Sequence, residues 1–236
     1  MDKFLSSLFD HLSSSSSGVV AITGGGGKTT LMVSFASFLK SSGYSVLMST
    51  STKIESPRYF DYKADKVFTS DPEALGYVPE KGESVLFALG NDLDVKKAFA
   101  PDDEVLHILS KRYDYLLIEA DGSRHLPMKI HTMRDPVVPE YASDVVNVFG
   151  VEGIGDKAYS YVFGEDRDVL IDESYLSWYF STPEGAGKGT DGINAMFVAS
   201  FKGAWSEEKA AVVKASKHPS PLFLSSIKED ELYGIC

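Results

Sequence analysis

A three-layer α/β fold, with a mostly parallel central sheet flanked by helices, is predicted by three observations. Continuous apolar runs such as Val19-Val20-Ala21-Ile22 and Tyr115-Leu116-Leu117-Ile118 suit strands buried on both faces. The first run passes through Gly24 to Gly27 into an apolar stripe at helical spacing, which makes one βα unit. A second apolar strand follows that helix, so a parallel sheet is being wound.

The elements follow in order. Phe4, Leu5, Leu8, Phe9 and Leu12 recur at helical spacing and predict a short amphipathic helix that docks its apolar face on the domain. Asp10 and His11 interrupt the patch, so neither a membrane span nor a signal peptide is expected. Ser13 to Ser17 read as a linker, and residues 1–17 therefore form an N-terminal helix and tether. After the first strand, Leu31, Met32, Phe35, Ala36, Phe38 and Leu39 line a helix ending at Gly43. Ser45 to Ser49 form the next strand and run into Thr50-Ser51-Thr52-Lys53.

Residues 55–110 form a less regular excursion, with short apolar pieces at Val67-Phe68 and Val85 to Ala88 and a helix around Glu104 to Leu109. Tyr115 to Ile118 and Val145 to Phe149 predict central strands. Met196 to Ala199 and Leu222 to Leu224 predict later ones, with a helix from about Ser206 to Ala215 between them. Residues 180–192 form a second excursion. The span 1–236 reads as one nucleotide-binding domain.

The composition narrows the function. With 236 residues, 43% hydrophobic and 24% charged, the chain is globular rather than disordered. A net charge of −11 would repel a phosphate backbone, so no nucleic-acid partner is expected. The single cysteine, Cys236, rules out an intramolecular disulfide and a cysteine-based metal site, and a reducing cytoplasm fits best.

The chemistry concentrates at the glycine loop. Gly24, Gly25, Gly26 and Gly27 can turn backbone N–H groups toward one point, and the positive end of the following helix favours phosphate oxygens there. Lys28 is expected to reach the β- and γ-phosphates of a nucleoside triphosphate, ATP or GTP, while the Thr29 hydroxyl ligates Mg²⁺ and Thr30 continues the loop. The pattern departs from G-x-x-x-x-G-K-[ST] because Ile22 stands at the first glycine position. The remaining Gly24-x-x-Gly27-Lys28-Thr29-Thr30 resembles the loops of Mur-type ligases and of the MinD-like branch of P-loop ATPases. That branch carries an extra lysine where this chain has Thr23, so its mechanism does not transfer. The architecture implied is P-loop NTPase-like.

Glu119 and Asp121 follow a strand at its carboxyl end, where ligands of open α/β sheets gather. Two apart in a strand, they would face one side and address one Mg²⁺ or a nucleophile. Glu119 is assigned to the metal or its waters, and Asp121 to a second such role or to a base. By the same topology Thr52 is a second metal contact and Lys53 meets a phosphate or an acidic substrate. Arg124, Lys129 and Arg134 lie in a basic stretch that suits an anionic second substrate. His125 and His131 match no zinc spacing and read as ordinary loop histidines. Gly185 to Thr190 lacks a leading strand, so it reads as a mobile loop or lid rather than a second phosphate loop. No Asn-Lys-x-Asp motif occurs near Met196 to Lys202, which leaves the base open.

Ile22 to Thr30, Ser49 to Ile54 and Glu119 to Arg124, with Leu126 to Lys129 and Pro136 to Pro139, resemble the YqeC family from about Val19 to Gly155. The middle motif of that family is a run of threonines before Lys-Ile, here partly replaced by Ser49 and Ser51. The resemblance implies an accessory role toward a selenium-dependent molybdenum hydroxylase or its selenium-cofactor intermediate. Combined with the residues, it predicts a cytoplasmic Mg²⁺-dependent nucleoside triphosphatase or phosphotransferase acting in maturation of that enzyme. The alternatives are a small-molecule kinase or Mur-like ligase acting on an anionic substrate, and a non-catalytic nucleotide-gated chaperone.

Overall fold

The computed structural model describes residues 3–90, 96–202 and 205–236. Helix α1 (Phe4–Asp10) buries Phe4, Leu5 and Leu8, the face that its spacing predicts. Phe4 packs edge-on against Phe223, ring centroids 5.9 Å apart. The serines that follow are tied down, not a free linker. Ser13 donates from its N–H and hydroxyl to Asp144 Oδ1 at 2.8 and 2.9 Å. The carbonyls of Ser14 and Ser15 accept from the phenols of Tyr115 and Tyr44. Short hydroxyl side chains bond readily to nearby polar groups, and composition alone does not reveal the partners.

Strand β1 (Gly18–Gly24) leads through the glycine loop into helix α2 (Lys28–Ser41), which buries Leu31, Met32, Phe35, Ala36 and Leu39 against the sheet. Strand β2 (Val46–Thr50) follows. The excursion contains β3 (Lys53–Glu55), β4 (Lys66–Phe68), α3 (Asp71–Gly76), β5 (Ser84–Phe87), β6 (Lys97–Phe99) and α4 (Asp103–Ser110). Its residues 91–95 lie outside the described part. Next come β7 (Tyr115–Glu119), β8 (Met128–Lys129), β9 (Asp144–Gly150), α5 (Ala158–Tyr161), β10 (Val162–Phe163) and α6 (Glu173–Ser181). The chain closes with β11 (Asn194–Ser200), α7 (Glu207–Ala215), β12 (Leu222–Ser226) and β13 (Glu231–Ile235).

Nine strands form the central sheet in the order β13-β12-β11-β9-β1-β7-β2-β5-β4. Every pairing is parallel except that of β13, which runs antiparallel to β12 at the edge. The central positions of β7 and β9, on either side of β1, agree with their unbroken apolar runs. Alternation along the strands makes the layers: Val20 and Ile22 of β1 join the core beneath α1 and α2, while Val19 faces the opposite core with Leu106 and Leu109 of α4. A further cluster on that second side gathers Leu176 and Tyr179 of α6, Val213 of α7, and Phe149 and Phe197 of the sheet. The α/β class is as the apolar runs predict.

Two features position the site. The carboxyl ends of β1, β7 and β2 are aligned, with Glu119 registered against both Ile22 and Thr50. The strand order also changes direction around β1, the crevice where open α/β sheets receive ligands. Beside the sheet, β3 and β6 pair antiparallel, Lys53 opposite Phe99 and Glu55 opposite Lys97. Residues two apart on a strand share a face, so the pairing puts Lys53 and Lys97 together.

Candidate functional site

Close backbone packing dictates glycine at each position of the loop. Gly24 and Gly27 have φ of 95° and 132°, which a side chain strongly disfavours. A Cβ on Gly25 would lie 2.3 Å from the Pro127 carbonyl oxygen, and one on Gly26 would lie 2.6 Å from the Gly150 nitrogen. The loop is therefore clamped between the segment after β7 and the end of β9.

That clamp changes which donors are open. Gly24 N–H donates to Asp121 Oδ2 at 2.9 Å. Gly25 N–H donates to the Val148 carbonyl at 2.7 Å and Gly26 N–H to that of Leu126 at 3.2 Å. The first three glycines thus bind the loop to the protein rather than pointing into the cleft. The N–H groups of Gly27, Lys28, Thr29 and Thr30 carry no hydrogen bond among the described residues, and no side chain caps α2. An uncapped helix start of this kind is a seat for an anion.

A cleft of about 280 Å³ opens over this helix start. Lys28, Thr29, Thr30 and Glu119 line one part of it, and Lys53, Lys97, Arg124, His125 and Lys202 line the rest. Five Lys and Arg side chains face only Glu55 and Glu119 there, so the cleft is locally basic in a chain of net charge −11. Arg124 and His125 stand at φ of 50° and 67°, and the Arg124 guanidinium lies 5.2 Å above the Phe163 ring.

Thr29 donates its hydroxyl to Glu119 Oε2 at 2.7 Å. Burial pushes the Glu119 carboxyl above the usual range, against the lowering influence of Lys28 and the Thr29 hydrogen bond. Two hard oxygen donors side by side, one of them an under-compensated buried carboxylate, fit Mg²⁺, which takes few protein ligands when phosphates supply the others. Among the described residues no group of three or more His, Cys, Asp or Glu forms a separate metal cluster. Thr52, expected as a second metal contact, does not line the cleft; its Oγ1 is buried without a hydrogen-bond partner.

The two carboxylates do not converge as strand alternation predicts. Strand β7 ends at Glu119, so the two-residue alternation does not carry on to Asp121. Glu119 faces the cleft, while Asp121 is fully buried beneath the loop and does not line it. Around Asp121 gather Lys28 Nζ at 3.1 Å, His131 Nε2 at 2.7 Å and Lys129 Nζ at 4.0 Å. Burial opposes its ionisation, but the His131 hydrogen bond and the charges of Lys28 and Lys129 outweigh that and hold the carboxyl below its usual value. Lys28 Nζ also donates to the Gly24 carbonyl at 2.7 Å.

The basic stretch after β7 divides. Arg124 reaches the cleft, but Lys129 is 1% exposed, donating to the Gly122 carbonyl at 2.7 Å and pairing with Asp135. Arg134 is exposed and does not line the cleft. Lys97 and Lys202 line the cleft where these two cations do not; Lys97 arrives only through the β3–β6 pairing, which no local pattern announces. His131 is no ordinary loop histidine, since it is buried with Nδ1 3.0 Å from the Gly185 carbonyl oxygen and Nε2 against Asp121. Gly185 to Thr190 is a packed turn and does not line the cleft. A Cβ on Gly185 would meet the Tyr179 carbonyl oxygen at 1.8 Å, and Ala186 is fully buried.

The family model described as YqeC protein matches residues 20–165. A relative from Escherichia coli (strain K12), "Uncharacterized protein YqeC", is 29% identical over 182 residues, covering 72% of this chain and 70% of the relative. No solved structure matches the chain. Among the described residues no helix is long and apolar enough to cross a membrane.

Proposed function

This chain belongs to the YqeC protein family, and we propose that it is a Mg²⁺-dependent nucleoside-triphosphate-binding protein, a triphosphatase or phosphotransferase. Its service is the maturation of a selenium-dependent molybdenum hydroxylase. The observation that carries the nucleotide half is the run of unpartnered N–H groups from Gly27 to Thr30, beside the Lys28 ammonium and the Thr29–Glu119 pair. The selenium half rests on the family resemblance.

Each residue then has a role. The four N–H groups receive phosphate oxygens, and the positive end of α2 adds to their field. Lys28 turns from the Gly24 carbonyl toward the β- and γ-oxygens. Asp121 is a positioning residue: it holds the loop through Gly24 N–H and steers Lys28, and the charges of Lys28 and Lys129 together with the His131 hydrogen bond make it a poor proton acceptor. Thr29 and Glu119 would hold Mg²⁺, which when bound screens the charge on the transferring phosphoryl group. In hydrolysis the oxygen of water bonds to the γ-phosphorus as the bond from that phosphorus to the bridging oxygen breaks. Nucleoside diphosphate and phosphate leave, and the proton goes to solvent.

A second reading, a kinase or ligase acting on a small anionic acceptor, is favoured by Lys53, Lys97 and Arg124 on the part of the cleft beyond the helix start. Phosphate release from ATP and GTP by purified protein decides between them. Mg²⁺-dependent release without an acceptor, lost in Glu119→Gln while binding is spared, supports the triphosphatase. Nucleoside diphosphate formed only when an anionic acceptor is added supports the second reading, without free phosphate for a kinase and with it for a ligase, and tight binding without turnover points to a nucleotide-gated chaperone. A deletion strain with unchanged selenium-dependent hydroxylase activity would remove the maturation role.

A further inference from the structure

A second cavity, of about 370 Å³, adjoins the phosphate cleft and shares Gly27, Thr30 and Lys202 with it. It lies at the carboxyl ends of β11 and β12, between the segment around Phe201 and the turn from Ser226 to Glu229. Beyond the shared Gly27 and Thr30, none of its lining residues has a role assigned toward phosphate or metal. Phe201 and Ile227 contribute apolar lining, and a Cβ on Gly27 would meet Ile227 Cδ1 at 3.2 Å. The phosphate seat and this cavity therefore touch through a glycine with no side chain between them.

We infer that this cavity seats the nucleobase of the bound triphosphate and selects guanine over adenine. The inference rests on the triphosphate reading of the loop and adds to it the identity of the base. A triphosphate on the start of α2 has its nucleoside to house, and this cavity adjoins the phosphate seat at Gly27 and Thr30.

Guanine presents two donors side by side, N1–H and the N2 amino group, next to the O6 acceptor; adenine presents the N1 acceptor and the N6 amino donor. Two of the cavity's lining side chains, Lys228 and Glu229, both solvent-exposed, carry charges complementary to the guanine edge. Glu229 is held at the cavity by the Ser226 hydroxyl on Oε2, and its Oε1 has no hydrogen bond among the described residues. Lys228 has no ion pair among the described residues, whereas Lys202 is paired with Glu152 at 3.0 Å. The Glu229 carboxylate accepts from N1–H and the N2 amino group, and the Lys228 ammonium donates to O6. Adenine would turn a lone pair to the carboxylate and an amino group to the ammonium, both unfavourable.

Titration calorimetry with GTP, ATP and inorganic tripolyphosphate, each with Mg²⁺, tests this in the full chain and in Glu229→Gln and Lys228→Ala. The expected result is GTP bound tighter than ATP by roughly tenfold or more, the order for one hydrogen bond to a charged group. That preference should fall in either variant while tripolyphosphate affinity stays the same. GTP and ATP binding equally would overturn the inference, as would a preference untouched by both variants. Tripolyphosphate binding as tightly as GTP would show that no base is held, again overturning it with the loop reading intact. No binding of any of the three would instead sink the loop reading, and this inference with it.

Discussion

The Lys28 ammonium lies 3.1 Å from Asp121 Oδ1, a buried ion pair that locks the lysine of the glycine loop to the segment after β7. The same carboxylate accepts from Gly24 N–H and sits against His131. One side chain thus joins the loop, its lysine and the turn at Gly185, which His131 reaches with its other nitrogen.

Asp121→Asn leaves Lys28 without its buried counter-charge, while Lys129 keeps Asp135, and should destabilise the protein by about 3–5 kcal/mol at neutral pH. Because the folded pKa of Asp121 is depressed, its contribution is present above the unfolded value of 3.8 and is lost as pH falls through the lower folded value. Urea denaturation should accordingly show a gap between wild type and variant that is full at pH 7 and narrows below about pH 3.8. A gap independent of pH would remove the charge argument.

Glu119 behaves in the opposite sense. Its folded pKa is raised above 4.5, chiefly by burial, so the folded state holds the proton more tightly and stability falls as pH rises through the interval above 4.5. Glu119→Gln keeps an acceptor for Thr29 and removes the buried charge. Without nucleotide or Mg²⁺ the variant should melt higher than wild type at pH 7, with the difference vanishing below about pH 4.5. A variant that melts lower at pH 7 would mean that the carboxylate is stabilised by more than Lys28 and Thr29.

Gly26→Ala puts a Cβ 2.6 Å from the Gly150 nitrogen and should cost about 1–3 kcal/mol by forcing the loop off β9. Gly122→Ala, which also borders the cleft, meets nothing within 4 Å and should leave the melting temperature unchanged. Equal melting temperatures for the two variants would show that the loop is not clamped.

Much of this architecture is legible in the residues. Val19 to Ile22, Tyr115 to Ile118 and Val145 to Phe149 are apolar on both faces because they become adjacent central strands, and that pattern survives any detail of packing. Strand β13 and helix α6 escape such reading. Glu231 to Ile235 is a half-buried edge, and α6 mixes Tyr175, Trp178 and Tyr179 with serines in a way that gives no clean stripe. At the site, Gly24 to Thr29 and Glu119 are visible because local geometry fixes their types. In sequence Asp121 reads as a cleft carboxylate beside Glu119, Lys129 as a cation for an anionic substrate and His131 as a loop histidine, and the three become one buried cluster only when β7, the Gly185 turn and the glycine loop meet. Lys97 joins Lys53 through a pairing 42 to 46 residues apart in sequence, from Glu55 opposite Lys97 to Lys53 opposite Phe99, which no motif records.

A triphosphate seated at the start of α2 is what every role proposed for the cleft depends on. Titration of Mg²⁺ with ATP and with GTP into the wild-type chain and into Lys28→Ala is the most direct test. The account predicts saturable binding to the wild type, weakened roughly 10- to 100-fold or more in the variant, the order for removing a charge-assisted hydrogen bond. Binding to Lys28→Ala as tight as to the wild type would contradict it.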